Sequence, residues 1–127
     1  MASIVFITGA TSGFGKAMAV KFASHGYDLI INGRRRDRLE NLQQELCNHY
    51  NTAVLPLCFD IQNRKEVTET INGLSDQWKQ VSILINNAGL AAGRDYFEEA
   101  SLDDWDTMID TNVKGLLYVT KAVVPFM

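Results

Sequence analysis

Ser3-Ile4-Val5-Phe6-Ile7-Thr8-Gly9-Ala10-Thr11-Ser12-Gly13-Phe14-Gly15 is the stretch whose reading decides the fold. Ser3 to Ile7 is a short unbroken apolar run, the pattern of a strand buried on both faces. Thr8 to Gly15 is glycine-rich, and Ala17, Met18, Val20, Phe22 and Ala23 then follow in a helical stretch that ends near Gly26. A strand passing through a glycine turn into a helix is the context of a phosphate-binding turn. Gly9 permits a tight reversal, Gly13 keeps side-chain bulk away from the backbone amides, and Gly15 lets helix pack closely on strand. The unpaired amides and positive dipole end of the helix would then face an anion, with Thr11 and Ser12 as hydroxyl donors. A purely structural turn is the competing reading, because Gly9-x-x-x-Gly13-x-Gly15 departs from the commoner G-x-G-x-x-G.

Outward from this stretch, strand and helix patterns alternate. Asp28-Leu29-Ile30-Ile31-Asn32 reads as a second strand, and Leu39, Leu42 and Leu46 mark a second amphipathic helix. Residues 52–59 form a third strand candidate, which Pro56 confines to a sheet edge. Asn63 followed by Glu66 has the form of a helix cap, with Val67, Ile71 and Leu74 continuing helically. Val81 to Ile85 is a fourth strand ending in Asn86-Asn87-Ala88-Gly89. After a loop containing Gly93, Ser101-Leu102-Asp103-Asp104 opens one helical region running toward Met127. Strands separated by helix-length segments must be parallel. The expected fold is α/β, a Rossmann-like doubly wound parallel sheet in the order 3-2-1-4, with residues 1–127 as the N-terminal part of a single domain.

The 127 residues carry 12 Lys and Arg against 15 Asp and Glu, a formal net charge of -3, with 46% hydrophobic residues. That is the composition of a globular unit. Its weak acidity argues against a nucleic-acid partner. No apolar run reaches the ~18 residues of a membrane span. Met1-Ala2-Ser3-Ile4 lacks the basic start of a signal peptide, so the expected location is cytoplasmic. Cys47 and Cys58 read as reduced core or half-buried thiols, and neither they nor His25 and His49 have metal-ligand spacing. His25, before Gly26, reads as a cation at a helix C-terminus.

Two further signals concern a ligand. Enzymes that bind NAD usually end the second strand with Asp or Glu to hold the ribose 2'-hydroxyl. Here the chain reads Ile31-Asn32-Gly33-Arg34-Arg35-Arg36. Arginines suit a 2'-phosphate, which a carboxylate would repel, so the pattern favours NADP(H); a solvated basic helix start is the alternative. Asn87-Ala88-Gly89 follows the fourth strand. In the predicted order the switch point lies between strands one and four, where this segment meets the glycine turn and a flat ring could approach.

Taken together, Thr8-Gly9-x-x-x-Gly13-x-Gly15, Asp60 after strand three, Asn86-Asn87-Ala88-Gly89 and Asn112 in Asp110-Thr111-Asn112-Val113-Lys114-Gly115 resemble the short-chain dehydrogenase/reductase family across nearly the whole chain. The stretches Asn32-Gly33-Arg34-Arg35, Asn87-Ala88-Gly89-Leu90-Ala91 and Asp104 to Asn112 look like its branch of NADP-dependent 3-hydroxy acid (serine/threonine) dehydrogenases. The resemblance implies hydride transfer between NADP(H) and a small hydroxyl or carbonyl substrate. It implies that Gly9, Thr11, Ser12, Gly13, Phe14 and Gly15 hold the pyrophosphate and adenosine ribose. Arg34 and Arg35 would take the 2'-phosphate. Asp60 would bond the adenine amino group, with Ile61 beside the ring. Asn87, Ala88 and Gly89 would line the ribose and nicotinamide side. Asn112 would be the Asn of an Asn-Ser-Tyr-Lys tetrad, anchoring a water in a proton relay. Without the family, Asn112 reads as a satisfied core Asn in an apolar helix.

One feature departs from the family. No tyrosine here has a lysine four residues on; Tyr118 and Lys121 are three apart. The chain is therefore expected to be the N-terminal half of such an enzyme and inactive alone. A non-catalytic dinucleotide-binding or assembly module is the first alternative. A methyltransferase, which would want an acidic residue ending strand two, is the second. Leu116, Leu117, Val119, Val123, Val124 and Phe126 make the last helix apolar on several faces, and strand four is left as an open edge. Both lead to an expected homo-oligomer, through isologous packing of that last helix or by pairing of open edges. Arg94 and the segment around Gly93 are expected to border the cleft, with Arg94 a surface charge.

Overall fold

Four short apolar segments pair in parallel, and the sequence between them folds as helices on both sheet faces. The computed structural model describes residues 2–90, 93 and 95–127. The strands are β1 (Ile4–Ile7), β2 (Asp28–Gly33), β3 (Val54–Cys58) and β4 (Val81–Ile85), in the order β3-β2-β1-β4. The helices are α1 (Gly13–Ser24), α2 (Arg36–His49), α3 (Arg64–Asn72), α4 (Leu102–Ile109) and α5 (Leu116–Val123). Ile7 pairs with both Ile31 and Ile85, so β1 and β4 end level while β2 runs on to Gly33. Pro56, which has no N–H to give, stands opposite Ile31 on the outer strand β3, as expected.

Side chains alternate across a strand, and both faces of this sheet are covered. Ile4, Phe6 and Ile30 point into a core with Phe59, Val67, Ile71, Val119 and Val123, under α3 and α5. Val5, Ile7, Leu29 and Ile31 point the other way, against Ala19, Ala23, Leu39, Leu42 and Leu46 of α1 and α2. This two-sided burial is why β1 and residues 29–31 of β2 read as unbroken apolar runs.

The elements depart from the sequence reading in a few places. β2 runs one residue further, through Gly33, and α3 ends at Asn72, leaving Leu74 in a turn but still in the core. The region expected as one helix to Met127 is interrupted by a wide π turn, Asp110–Gly115, between α4 and α5. The Cβ of any larger residue at Gly115 would stand 2.8 Å from Ile61 Cδ1, so this turn fits closely over the end of the sheet. Cys47 is exposed rather than buried, on the outer side of α2, while Cys58 is half-buried. His25 is the C-cap of α1, its Nδ1 2.9 Å from the Lys21 carbonyl, as its position predicted. Among the described residues no helix is long and apolar enough to cross a membrane.

Candidate dinucleotide-binding cleft

A cleft of about 310 Å³ opens beyond the carboxyl ends of the strands, at the switch between β1 and β4. It is assembled by a lattice of hydrogen bonds around Thr8. Thr8 Oγ1 accepts from the amides of Asn87 (3.1 Å) and Ala88 (3.0 Å). In return, Asn87 Nδ2 donates to the carbonyls of Thr8 (3.2 Å) and Gly9 (2.9 Å). The glycine turn and the Asn86-Asn87-Ala88-Gly89 segment are thereby one unit. Asn32 ties the other side: its Nδ2 donates to the Leu57 (3.2 Å) and Phe59 (3.1 Å) carbonyls, and its Oδ1 accepts from the Gly9 amide (3.4 Å).

Gly9 and Gly15 have the packing roles their spacing assigns. Gly9 sits at φ 62°, a left-handed conformation, with Ala88 Cα 2.8 Å from where a Cβ would be. A Cβ at Gly15 would run into the Gly9 carbonyl and Asn87 Nδ2, so α1 can approach the strand end only with glycine there. Gly13, at φ 56°, faces open space. The start of α1 differs from those of α3 and α4. Asn63 caps Glu66 and Ser101 caps Asp104 through their side chains. Ser12, the N-cap of α1, makes no such bond, and the first turn holds no acidic residue. The first amides of α1, which no helix can satisfy internally, have no side-chain cap.

Of the residues singled out from sequence, the structure gathers Gly9, Thr11, Ser12, Arg34, Asp60 and Ile61 around the cleft, together with Asn87, Ala88 and Gly89. Gly13 and Gly15 shape it without lining it. Phe14 stands 85% exposed beside it. Arg34 is exposed at the cleft rim. Arg35, also exposed, is the N-cap of α2 outside the lining and, like Ser12, caps nothing with its side chain. Among the described residues neither arginine is in an ion pair. Arg94 and Ala91 lie outside the described residues.

Asn112 is not a core residue. It is exposed in the π turn, where Oδ1 accepts from the Leu90 amide and Nδ2 donates to the Leu90 carbonyl, both at 2.8 Å. It binds the chain leaving β4 to the wide turn and does not line the cleft. Sequence reasoning missed Asn32, Gly33, Phe59, Gln62, Leu90 and Thr111, all at the cleft wall. Asn32 had a legible signal, a lone amide closing an otherwise apolar strand. Thr111 had none, since a wide turn leaves no periodic mark in so short a segment.

The sequence profile of the family described as short chain dehydrogenase matches residues 3–127. A relative from Salmonella typhi, "NADP-dependent 3-hydroxy acid dehydrogenase YdfG", is 47% identical over 124 residues, 98% of this chain and 48% of that protein. "Sulfoacetaldehyde reductase 2" from Chromohalobacter salexigens is 48% identical over 127 residues, covering 98% of this chain and 49% of its own length. The closed form of a serine dehydrogenase complexed with NADP+ superposes with a TM-score of 0.87 at 45% identity, over 98% of this chain and 48% of the other. An alcohol dehydrogenase from Thermococcus sibiricus gives a TM-score of 0.92 at 30% identity, over 98% and 53%. The chain spans about half the length of the curated relatives it matches. With its strand order, its glycine turn and its switch-point segment all matched, the chain belongs to the short-chain dehydrogenase family.

Proposed function

We propose that these residues hold the nucleotide of an NADP(H)-dependent oxidoreductase whose small substrate carries a hydroxyl or carbonyl at the reacting carbon, with 3-hydroxy acids as the substrate class. The observation that carries this reading is Arg34, exposed at the cleft rim beyond β2, a strand that ends in Asn32 and Gly33 rather than in a carboxylate. A guanidinium there attracts a ribose 2'-phosphate through charge-assisted hydrogen bonds. The names of the Salmonella relative and of the NADP+-bound serine dehydrogenase support both cofactor and substrate class.

The residues fit such a cofactor. The uncapped start of α1 and the open space at Gly13 suit a pyrophosphate. Asp60 Oδ1 accepts from the Gln62 amide at 2.9 Å, which fixes the carboxylate at the cleft edge toward an adenine amino group. Ile61, buried in the core, offers the ring an apolar wall. Asn87 holds the turn, leaving Ala88 and Gly89 to border the ribose and nicotinamide side. The cofactor supplies the hydride chemistry. Asn112, with both side-chain polar atoms on Leu90, is a positioning residue that fixes the cleft wall.

No Tyr-x-x-x-Lys occurs in these 127 residues, so they are proposed to bind nucleotide without turning substrate over. Leu116, Leu117 and Val124 lie exposed on α5 and the segment after it, and support association between copies through that helix. The test is Arg34→Ala in the complete gene product. NADPH affinity should fall by about 1.5–3 kcal/mol, the scale of a charged hydrogen bond, while NADH affinity holds. Equal losses for both cofactors would contradict the reading.

A further inference from the structure

Thr111, in the π turn at the cleft wall, is only 6% exposed, and its Oγ1 has no hydrogen-bond partner among the described residues. Other helical threonines of this chain solve the same problem locally. Thr68, Thr107 and Thr120 each donate to the carbonyl four residues back, at 2.9, 2.9 and 2.7 Å. Thr111, in the wide turn, makes no such bond. A buried hydroxyl without a partner is destabilising. Valine has the same shape without that cost, so packing alone gives no reason for threonine here. The residue lines the same cleft as Asp60, Ile61, Gly89 and Leu90, and Gly115 of its turn lies against Ile61. A one-step turn about χ1 carries Oγ1 and Cγ2 together to other staggered positions around Cβ.

We propose that Thr111 is a nucleotide-positioning residue whose hydroxyl, unsatisfied in the free protein, turns to hydrogen-bond the adenosine half of the bound cofactor. This rests on the cofactor reading above and adds to it a residue outside the glycine turn and the arginines. Binding relieves a polar group that folding left unpaired, so the contact favours the bound state while making the free protein less stable.

The test uses the complete gene product with Thr111→Val and Thr111→Ser, and two ligands: NADPH and adenosine 2',5'-bisphosphate, which keeps the adenosine half and lacks the nicotinamide. Thr111→Val should bind both ligands about 3- to 10-fold more weakly, the range of one neutral hydrogen bond. Its nucleotide-free Tm should equal or exceed that of the wild type. Thr111→Ser, which keeps the hydroxyl, should bind both within about twofold of wild type. Unchanged binding by Thr111→Val would overturn the proposal while leaving the cofactor reading intact. So would a lower nucleotide-free Tm accompanying the loss of affinity, or an equal loss in Thr111→Ser. A wild-type protein that binds neither ligand would overturn both.

Discussion

Asn32 shows how much one amide can hold at the mouth of this cleft. It is 2% exposed, donates to two β3-side carbonyls and accepts from Gly9, so all three segments converge on it. Replacing it with Asp removes both donors and sets a carboxylate against two carbonyl oxygens. Asn32→Asp should therefore cost at least ~2 kcal/mol of stability, since buried acceptors lose their partners; a thermal melt within 1 °C of wild type would contradict this. Asn112 is a milder case because it is exposed. Asn112→Ala removes two hydrogen bonds to Leu90, worth about 0.5–1.5 kcal/mol each. It should also speed hydrogen exchange at the Leu90 amide. An unchanged exchange rate there would mean that other contacts hold the segment.

At the scale of elements, the glycine turn and α1 act as one body with the end of β4. Gly15→Ala places a methyl group against the Gly9 carbonyl and Asn87 Nδ2, and backbone has little room to give. It should lower stability by about 1–3 kcal/mol and weaken NADPH and NADH alike, because it moves the amides both share. Selective loss of NADPH alone would contradict that. This part of the fold was legible because each glycine answers a local demand, and because two-sided burial writes itself as unbroken apolar runs at Ile4–Ile7 and residues 29–31. The π turn was not legible. Its signals are tertiary: Gly115 lying over Ile61 and Asn112 reaching Leu90, 22 residues away in sequence. Arg34 at the rim could be read from the strand end, whereas the placement of Arg35 outside the cleft lining depends on where α2 begins.

At the scale of the whole molecule, two open features remain. Among the described residues β4 pairs only with β1, and α5 buries Val119 and Val123 while Leu116 and Leu117 face outward. The 127 residues expressed alone should self-associate at micromolar concentration and show no turnover with NADPH. A monodisperse monomer, or steady turnover, would contradict those expectations. The central claim concerns the cleft: nucleotide phosphates held by the bare start of α1 and an extra phosphate held by Arg34. Isothermal titration of the complete gene product with NADPH and NADH tests it most directly. The account predicts saturable binding of NADPH at least about tenfold tighter than NADH. Equal affinities, or no heat with either coenzyme, would contradict it.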